Sequence, residues 1–300
     1  MRVVIGGASG LIGSELARRL EGAGDEVVRL IRGAPSGRGQ LRWDPAAGVL
    51  DAAGLRGADA VVNLSGAPLG KLPWTRGYRA EILDSRLRAT ETLVRAIGEL
   101  RDRGERTPAL ISGSAVGFYG SRPGEQLSEA SAPGGGFLAE VVRRWEQAAL
   151  AAPEGTRIVL ARTGVVLARG GALGPVFALA RFGLAGPLGN GRQHWPWISL
   201  HDEAAALEHL IRSEVRGPVN LVGPESATAG QIVRAVARGI RRPYWLPAPA
   251  FALTAALGDA ARELILADQD VRPGVLTETG FAFRDRTVAA AVASLRESSV

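Results

Sequence analysis

The sequence predicts an α/β fold, with a doubly wound parallel sheet and a smaller C-terminal lobe, from two observations. A short apolar strand at residues 2–6 runs through a glycine loop into a helical pattern at 11–22, and a second strand pattern follows at 26–32. Strand-like and helical segments then alternate through the first two thirds of the chain. Such alternation is typical of a Rossmann-like parallel sheet with helices on both faces.

The glycine loop carries the spacing G-x-x-G-x-x-G at Gly7, Gly10 and Gly13. In a dinucleotide-binding loop, one glycine makes the sharp turn, one lets the backbone approach the pyrophosphate, and one lets the helix pack on the strand. The N-terminus of the following helix then offers N–H groups and a positive dipole end to the phosphates. The loop with its flanking strands and helix therefore predicts dinucleotide binding, against the alternative of a structural glycine turn.

Further strands are predicted in order along the chain, at 58–64, 108–113 and 156–162. Helical patterns lie between them, at 76–102 and 136–152. Stretches rich in glycine and proline predict loops, at 33–39, 120–136 and 183–196. Long loops after successive strands form the ligand crevice in this architecture.

The regular alternation weakens after about residue 165, which predicts a cofactor-binding domain at 1–165 and a smaller substrate lobe at 166–300. Elements of the two parts are free to interleave. The later pattern predicts a strand near 218–222 and three helices, near 202–213, 228–240 and 248–267. Asp202 is expected to cap the first of these helices.

Composition excludes several classes of protein. The 300 residues contain 46% hydrophobic residues and no cysteine, so the chain can bury a core but has neither disulfides nor thiolate metal sites. No run of 18 apolar residues and no signal peptide is visible, and we expect a cytoplasmic protein. The net charge of +6 comes mainly from dispersed arginines, with Lys71 the one lysine, and does not predict nucleic-acid binding. The three histidines lack metal-ligand spacing, so no metal is expected.

Arg32, at the end of the second predicted strand, favours NADP over NAD as the cofactor. NAD enzymes place an acidic residue there to bind the ribose 2′-hydroxyl, whereas an arginine can bind a 2′-phosphate. Ser9 in the glycine loop adds a hydroxyl. The alternative is an ordinary surface arginine in a chain rich in them.

Motifs spread over nearly the whole chain resemble the extended short-chain dehydrogenase/reductase superfamily, and most closely its atypical YfcH-like epimerase family. They are the glycine loop at 6–13, Asn63 to Pro68, Ser112 to Gly120, Arg162 to Leu167, Gly186 to Gly189, and a tail at 269–283 similar to that family's extra C-terminal region. The resemblance implies a Rossmann-like cofactor domain, a C-terminal substrate lobe and NADP as the ligand.

The same resemblance implies roles for individual residues. Ser114 matches the superfamily's catalytic serine, whose hydroxyl orients a substrate oxygen. The expected cofactor-binding residues are Gly7, Ser9, Gly10, Leu11, Ile12, Gly13, Arg32, Leu64, Ser65, Gly66 and Ser112. Arg86, which belongs to that family's Ser-Arg pair, is a candidate substrate-binding residue. Gln193 and Trp197 are further candidates because their loop mixes hydrogen-bond donors with flat apolar surfaces, with a fixed lid that binds no ligand as the alternative.

The superfamily's tyrosine–lysine pair, Y-x-x-x-K, is absent from this chain. Its positions fall near Leu138 and Val142, which are both apolar. Tyr119 is the nearest remaining phenol to Ser114 and is a candidate proton donor, with a packed aromatic as the alternative. Glu146 is expected to lie on an exposed helix face.

Two functions remain open at this stage. The first is an NADP-dependent oxidoreductase or epimerase-like enzyme that acts on a small carbonyl or hydroxyl compound. The second is an NADP-binding redox sensor or regulatory module without turnover, which the missing tyrosine–lysine pair favours. The fold by itself does not decide between them.

Overall fold

In a computed structural model that describes residues 1–37 and 39–297, the chain forms an eight-stranded sheet with helices on both faces. The strands are β1 (Arg2–Gly6), β2 (Glu26–Ile31), β3 (Gln40–Asp44), β4 (Val49–Leu50), β5 (Ala60–Asn63), β6 (Ala109–Ala115), β7 (Gln126–Leu127), β8 (Ile158–Thr163), β9 (Val165–Leu167), β10 (Trp197–Ser199), β11 (Gly217–Leu221) and β12 (Asp270–Val271). The helices are α1 (Leu11–Gly22), α2 (Arg76–Asp102), α3 (Phe137–Leu150), α4 (Gly174–Arg181), α5 (Leu200–Arg212), α6 (Ala229–Gly239), α7 (Ala250–Leu257), α8 (Gly274–Glu278) and α9 (Val288–Glu297). The predicted fold class is confirmed.

The strand order explains where a ligand can bind. The sheet runs β11-β8-β6-β5-β1-β2-β3-β4, and its neighbouring strands are parallel except for the antiparallel pair β3–β4. From β1 the chain moves outward through β2 and β3, then returns to β5 on the other side of β1 and continues to β6, β8 and β11. The carboxyl ends of β1 and β5 therefore meet at a topological switch point, where open α/β sheets bind their ligands.

The two faces of the sheet are covered by different helix pairs. Helices α1 and α5 pack on one face, where Leu16, Leu20 and Leu207 are fully buried with the strands' valines and isoleucines. Helices α2 and α3 pack on the other, where Leu93 and Ile97 are fully buried. Burial of these leucine and isoleucine side chains stabilises each layer by roughly 1.5–3 kcal/mol per side chain.

The part of the chain after residue 165 contributes to two regions. Strand β11 pairs with β8, and so it completes the main sheet. Helix α5 packs on one face of that sheet, and a separate smaller core forms around Trp195, Trp197, Ile232 and Val236. Elements of the two predicted domains therefore interleave at the sheet.

Several local features differ from the sequence-based expectation. The helix near 248–267 is divided into α7 and a single turn at Ala261–Ile265, because Gly258 adopts φ +59 between them. Helix α5 is capped by Ser199, whose Oγ accepts from the N–H of Asp202 at 3.1 Å, so the capping role expected for Asp202 is wrong. The Asp202 carboxylate instead accepts from the N–H groups of Arg284 and Asp285.

Helix α3 begins with a cap that comes from the C-terminal region. Gly136 precedes the helix at φ +107 and has no side chain with which to cap it. The carboxylate of Glu263 accepts from the N–H groups of Phe137 at 2.9 Å and Leu138 at 3.2 Å. A carboxylate at a helix N-terminus is stabilising because it satisfies free N–H groups and faces the positive end of the dipole.

Helix α5 carries a buried acid, Glu203, which is 0% exposed. Its Oε1 accepts from the Thr163 hydroxyl at 2.7 Å, whereas Oε2 is buried with no hydrogen-bond partner in the described part of the chain. Burial disfavours the charged form and raises the pKa of Glu203 from 4.5 to about 8. The folded protein therefore holds this carboxyl neutral at pH values where the unfolded chain ionises it.

We predict that this pKa shift makes the protein less stable as pH rises from about 5 to about 8. Glu203→Gln keeps the shape of the neutral acid and removes the titration. The free energy of unfolding of the wild type should fall relative to the variant by up to about 1.4 kcal/mol per pH unit in this range. Denaturant unfolding of both proteins at pH 5, 7 and 8.5 measures these free energies. A difference in the free energy of unfolding between wild type and variant that stays constant over this range would contradict the prediction.

Candidate active site

The three glycines of the N-terminal loop have different structural roles. Gly7 adopts φ +79, and a Cβ there would lie 2.7 Å from the carbonyl oxygen of Leu64. A Cβ at Gly13 would lie 2.3 Å from the carbonyl oxygen of Gly7. Gly7 therefore makes the turn, and Gly13 allows α1 to pack against it.

Gly10 is different, because its surroundings within the protein are open. Its φ is −77, and the single close approach of a Cβ would be 3.3 Å from the Gly7 carbonyl oxygen. Gly10 is also the residue at which α1 begins, with no side-chain cap and no acidic residue in the first turn. Ser9 and Leu11 beside it are exposed, and Ile12 is half-buried. The loop is thus a cradle of backbone at a helix N-terminus, which suits a phosphate group.

The turn that follows β5 lies against this cradle across the switch point. The N–H of Leu64 donates to the Gly6 carbonyl at 2.9 Å, and the side chain of Asn63 accepts from the N–H of Ser65 at 3.2 Å. The hydroxyl of Ser65 is buried with no hydrogen-bond partner among residues 1–37 and 39–297. Gly66 continues the turn toward α2.

The two other expected cofactor residues occupy contrasting positions. Arg32 is exposed immediately after β2, at the carboxyl edge of the sheet where the glycine loop also lies. Ser112 is fully buried within β6, and its hydroxyl donates to the carbonyl of Gly113 at 3.1 Å. Ser112 therefore supports the strand rather than presenting its hydroxyl at the surface.

Ser114 lies near the carboxyl end of β6 and donates its hydroxyl proton to a buried carboxylate. The acceptor is Oε1 of Glu146 on α3, at 2.6 Å. Arg162 on β8 binds both oxygens of the same carboxylate. Its Nε donates to Oε1 at 2.8 Å, and its Nη2 donates to Oε2 at 2.9 Å. The side chains of Arg162 and Glu146 are 5% and 7% exposed. The expectation of an exposed Glu146 is wrong, because the fork of Arg162 and the hydroxyl of Ser114 compensate its burial.

Tyr119 extends this network further into the protein core. It is 0% exposed; its hydroxyl donates to Oδ1 of Asn220 at 2.7 Å and accepts from Nη1 of Arg162 at 2.9 Å. Burial raises the pKa of the Tyr119 phenol, although Arg162 and Asn220 act in the opposite direction. A buried phenol with both hydrogen bonds occupied is placed to hold Arg162, so the structure does not support Tyr119 as a proton donor to substrate.

The positions of the missing tyrosine–lysine pair lie on the same helix face as Glu146. Leu138, Val142 and Glu146 follow one another at intervals of four residues, so they share one side of α3. Leu138 and Val142 are both buried. A cavity of about 160 Å³ borders Leu138 and is also lined by Gly117, Gly120, Arg262, Glu263 and Gln269. The interval of four residues is the sequence signal that could have drawn attention to Glu146.

Arg86 on α2 reaches into the same region from the side of the β5 turn. Its Nη1 donates to the carbonyls of Ala67 at 3.1 Å and Ile82 at 2.8 Å. Its guanidinium carbon lies 5.2 Å from the ring centre of Trp145, the neighbour of Glu146. A Cβ at Gly66 would lie 3.2 Å from that same carbon, so the absence of a side chain at Gly66 makes room for it.

The other two candidate substrate residues are occupied by contacts within the protein. Gln193 is buried, and its Nε2 donates to the carbonyls of Leu188 and Ile265. Trp197 is 1% exposed, and its Nε1 donates to the carbonyl of Glu225 at 2.8 Å. Both side chains stabilise the C-terminal lobe, and we do not place them in the substrate site.

Residues 1–37 and 39–297 include no helix long and apolar enough to cross a membrane. Within those same ranges, no three or more histidine, aspartate or glutamate side chains are grouped so that they could hold a metal ion.

Comparison with known proteins connects this geometry to a family. Residues 3–223 match the NAD dependent epimerase/dehydratase family, and residues 248–295 match a domain of unknown function (DUF1731). An epimerase family protein of Mycobacterium leprae is 41% identical over 293 residues, which are 97% of this chain and 94% of the relative.

Solved structures match nearly the whole of this chain. The crystal structure of human epimerase family protein SDR39U1 (isoform2) with NADPH matches with a TM-score of 0.89 and 32% identity, covering 99% of both chains. A nucleoside-diphosphate sugar epimerase from Corynebacterium glutamicum matches with a TM-score of 0.79 and 32% identity, covering 98% of this chain and 57% of that one. The resemblance inferred from the sequence is confirmed, and the chain belongs to the NAD dependent epimerase/dehydratase family, with the additional C-terminal region at 248–295.

Proposed function

We propose that this protein is an NADP-dependent oxidoreductase or epimerase-like enzyme that acts on a small carbonyl or hydroxyl compound. The observation that carries the proposal is the hydrogen bond from Ser114 to the buried Glu146. A hydroxyl linked to a buried, ion-paired carboxylate at the carboxyl end of a central strand is an arrangement for handling a proton.

The residues at the switch point fit a dinucleotide. A Cβ at Gly10 would project into space that the protein itself leaves open, at the uncapped start of α1, and the backbone there can receive a pyrophosphate. Arg32 stands where a 2′-phosphate would be bound, and a related human protein has been crystallised with NADPH. These points support NADP rather than NAD.

The chemistry of Ser114 follows from where its single proton goes. While that proton is donated to Glu146, the Ser114 oxygen can accept a hydrogen bond from a substrate hydroxyl but cannot donate one to a carbonyl. When bound, the nicotinamide ring accepts or supplies the hydride.

In the oxidation direction, the substrate hydroxyl proton passes to the Ser114 oxygen as the serine proton passes to Glu146, and reduction reverses both transfers. Ser114 thus orients the substrate oxygen, and Glu146 is the terminal group for the proton. Arg162 holds the Glu146 carboxylate in place through two hydrogen bonds. The pair of Ser114 and Glu146 would replace the missing tyrosine and lysine.

The alternative is an NADP-binding sensor without turnover. Leu138 and Val142 occupy the positions of the usual tyrosine and lysine. Their apolar side chains cannot donate a proton, and this favours the sensor. The two proposals share the cofactor and differ in whether Ser114 meets a substrate, so measurements of binding and of turnover separate them.

Replacement of Gly10 tests the cofactor site. Gly10→Val should abolish NADPH binding while the protein stays folded, because the added side chain fills the space left for the pyrophosphate. Calorimetric titration with NADPH and circular dichroism measure the two effects. Gly13→Ala is the contrasting variant, and it should disturb folding itself because its Cβ would overlap the Gly7 carbonyl. Normal NADPH affinity of Gly10→Val would show that the loop is only a turn.

Arg32 tests the choice between NADP and NAD. The wild type should bind NADPH more tightly than NADH, and Arg32→Ala should lose most of that preference. The contact at stake is a charge-assisted hydrogen bond, worth about 1.5–3 kcal/mol. Calorimetry with both cofactors gives the ratio of affinities, and equal affinity of the wild type for both would refute this assignment.

The Ser114–Glu146 pair is tested by turnover. For any compound that the wild type reduces or oxidises, Ser114→Ala should lower kcat about 10²–10⁴-fold, the scale of a general acid–base group. Tyr119→Phe should lower it far less, because its hydroxyl contacts Arg162 and Asn220 instead of substrate. Lys71→Met, in a different loop, is the control and should leave kcat unchanged.

Glu146→Gln separates the proton-accepting role from the structural one. It should lower kcat like Ser114→Ala, but it also leaves Arg162 buried without its counter-charge, so thermal stability and NADPH affinity must be measured alongside. Full activity of Ser114→Ala would disprove the proposed mechanism. If a screen of carbonyl compounds and nucleotide sugars finds no turnover while NADPH binds tightly, the sensor function replaces the enzyme.

A further inference from the structure

Arg86 is a half-buried cation without a counter-charge among the described residues. In the described part of the chain, no carboxylate lies within 4 Å of its guanidinium, and its hydrogen bonds are the two from Nη1 to the carbonyls of Ala67 and Ile82. Nε and Nη2 make no hydrogen bond to any described residue. Three of the five guanidinium N–H groups therefore remain available to a ligand.

A partly buried guanidinium without an anion is less stabilised than one that is ion-paired. Burial without an anion lowers the pKa of Arg86 to about 10, which still leaves it charged at neutral pH. Two other arginines, one buried and one half-buried, donate from more of their guanidinium nitrogens. Arg162 pairs with Glu146, and Arg157 donates from both terminal nitrogens to the carbonyls at the end of α5.

Trp145 connects Arg86 to the proposed proton-handling pair of Ser114 and Glu146. The Arg86 guanidinium packs on the face of Trp145, and the tip of that ring lies against Gly113, where a Cβ would be 3.0 Å away. Gly113 precedes Ser114, and Trp145 precedes Glu146. Trp145 therefore contacts both the guanidinium of Arg86 and the strand that carries Ser114.

We propose that Arg86 binds a carboxylate on the substrate, so that the substrates are small hydroxy acids or oxo acids. This inference rests on the proposed function, since it assigns the carboxylate to the same substrate whose oxygen Ser114 orients. A planar guanidinium with Nε and Nη2 free matches the two oxygens of a carboxylate.

The cofactor is the other source of an anionic group, and the geometry disfavours it. The pyrophosphate cradle is formed by Gly10 and the start of α1, after β1. Arg86 lies beyond the turn at Leu64 to Ala67, on the side that faces α3 and Trp145. The turn thus separates the cradle from the guanidinium.

Binding measurements on the NADP⁺-saturated protein test the proposal without requiring turnover. The probes are glycolate, lactate and malate, each paired with its neutral amide (glycolamide, lactamide and malamide). At least one acid should raise the melting temperature and give a calorimetric Kd, whereas its amide should not. Arg86→Met should weaken binding of that acid about tenfold to a hundredfold, the scale of a charge-assisted hydrogen bond.

Two controls make the outcome specific. Arg88→Met removes an exposed arginine two residues along the same helix, paired with Asp84 at 3.8 Å, and should bind the acids like wild type. NADPH affinity of Arg86→Met should stay close to that of wild type. A large loss of NADPH affinity would instead assign Arg86 to a cofactor phosphate and overturn the proposal.

The proposal is also overturned if no acid binds, if the amides bind equally well, or if Arg86→Met retains acid binding. Failure of the proposed function looks different: a carboxylate would bind through Arg86, yet no hydroxy or oxo acid would be turned over with NADP⁺ or NADPH.

Discussion

The buried ion pair between Glu146 and Arg162 is the interaction on which the rest of the site depends. It joins α3 to β8, and through Ser114 and Tyr119 it also engages β6 and the turn beyond it. Removing one partner of such a pair leaves an uncompensated buried charge, which typically costs several kcal/mol. The packing of α3 on the sheet and the orientation of the Ser114 hydroxyl therefore both depend on this ion pair.

The network continues into the C-terminal part of the chain. Tyr119 donates to Asn220 on β11, and the amide of Asn220 donates to the carbonyl of Arg272, just after β12. The last strand of the main sheet is thus linked both to the ion pair and to the C-terminal region. This link gives a physical reason for the interleaving of the two parts: the strand that completes the sheet also completes the polar core behind Ser114.

Most of the fold could be predicted from the sequence, because its signals are local. The glycine loop and the alternating apolar runs identified β1, α1, β2 and the later parallel strands to within a few residues of their observed ends. The hairpin β3–β4 was not predicted, since its strands are short and follow a stretch rich in glycine and proline. The break after α7 depends on the backbone conformation of Gly258, which a helical pattern does not reveal.

The candidate site was less accessible to sequence reasoning, because its key contacts join distant residues. Ser114 was identified by its place after a strand, but its partner Glu146 lies 32 residues away, and an isolated glutamate in a helix is ordinarily exposed. Only the fold brings Arg162 close enough to compensate the charge of Glu146. Tyr119 was proposed from its nearness to Ser114 along the chain, whereas the backbone turns its ring into the core.

The cap of α3 couples the start of that helix to the C-terminal region. The first N–H groups of α3, at Phe137 and Leu138, are satisfied by a carboxylate 126 residues later in the chain. Any opening of the C-terminal lobe that withdraws Glu263 also exposes those amides to water. Hydrogen exchange at these two residues is therefore a direct reporter of lobe opening, at the start of the helix that carries Glu146.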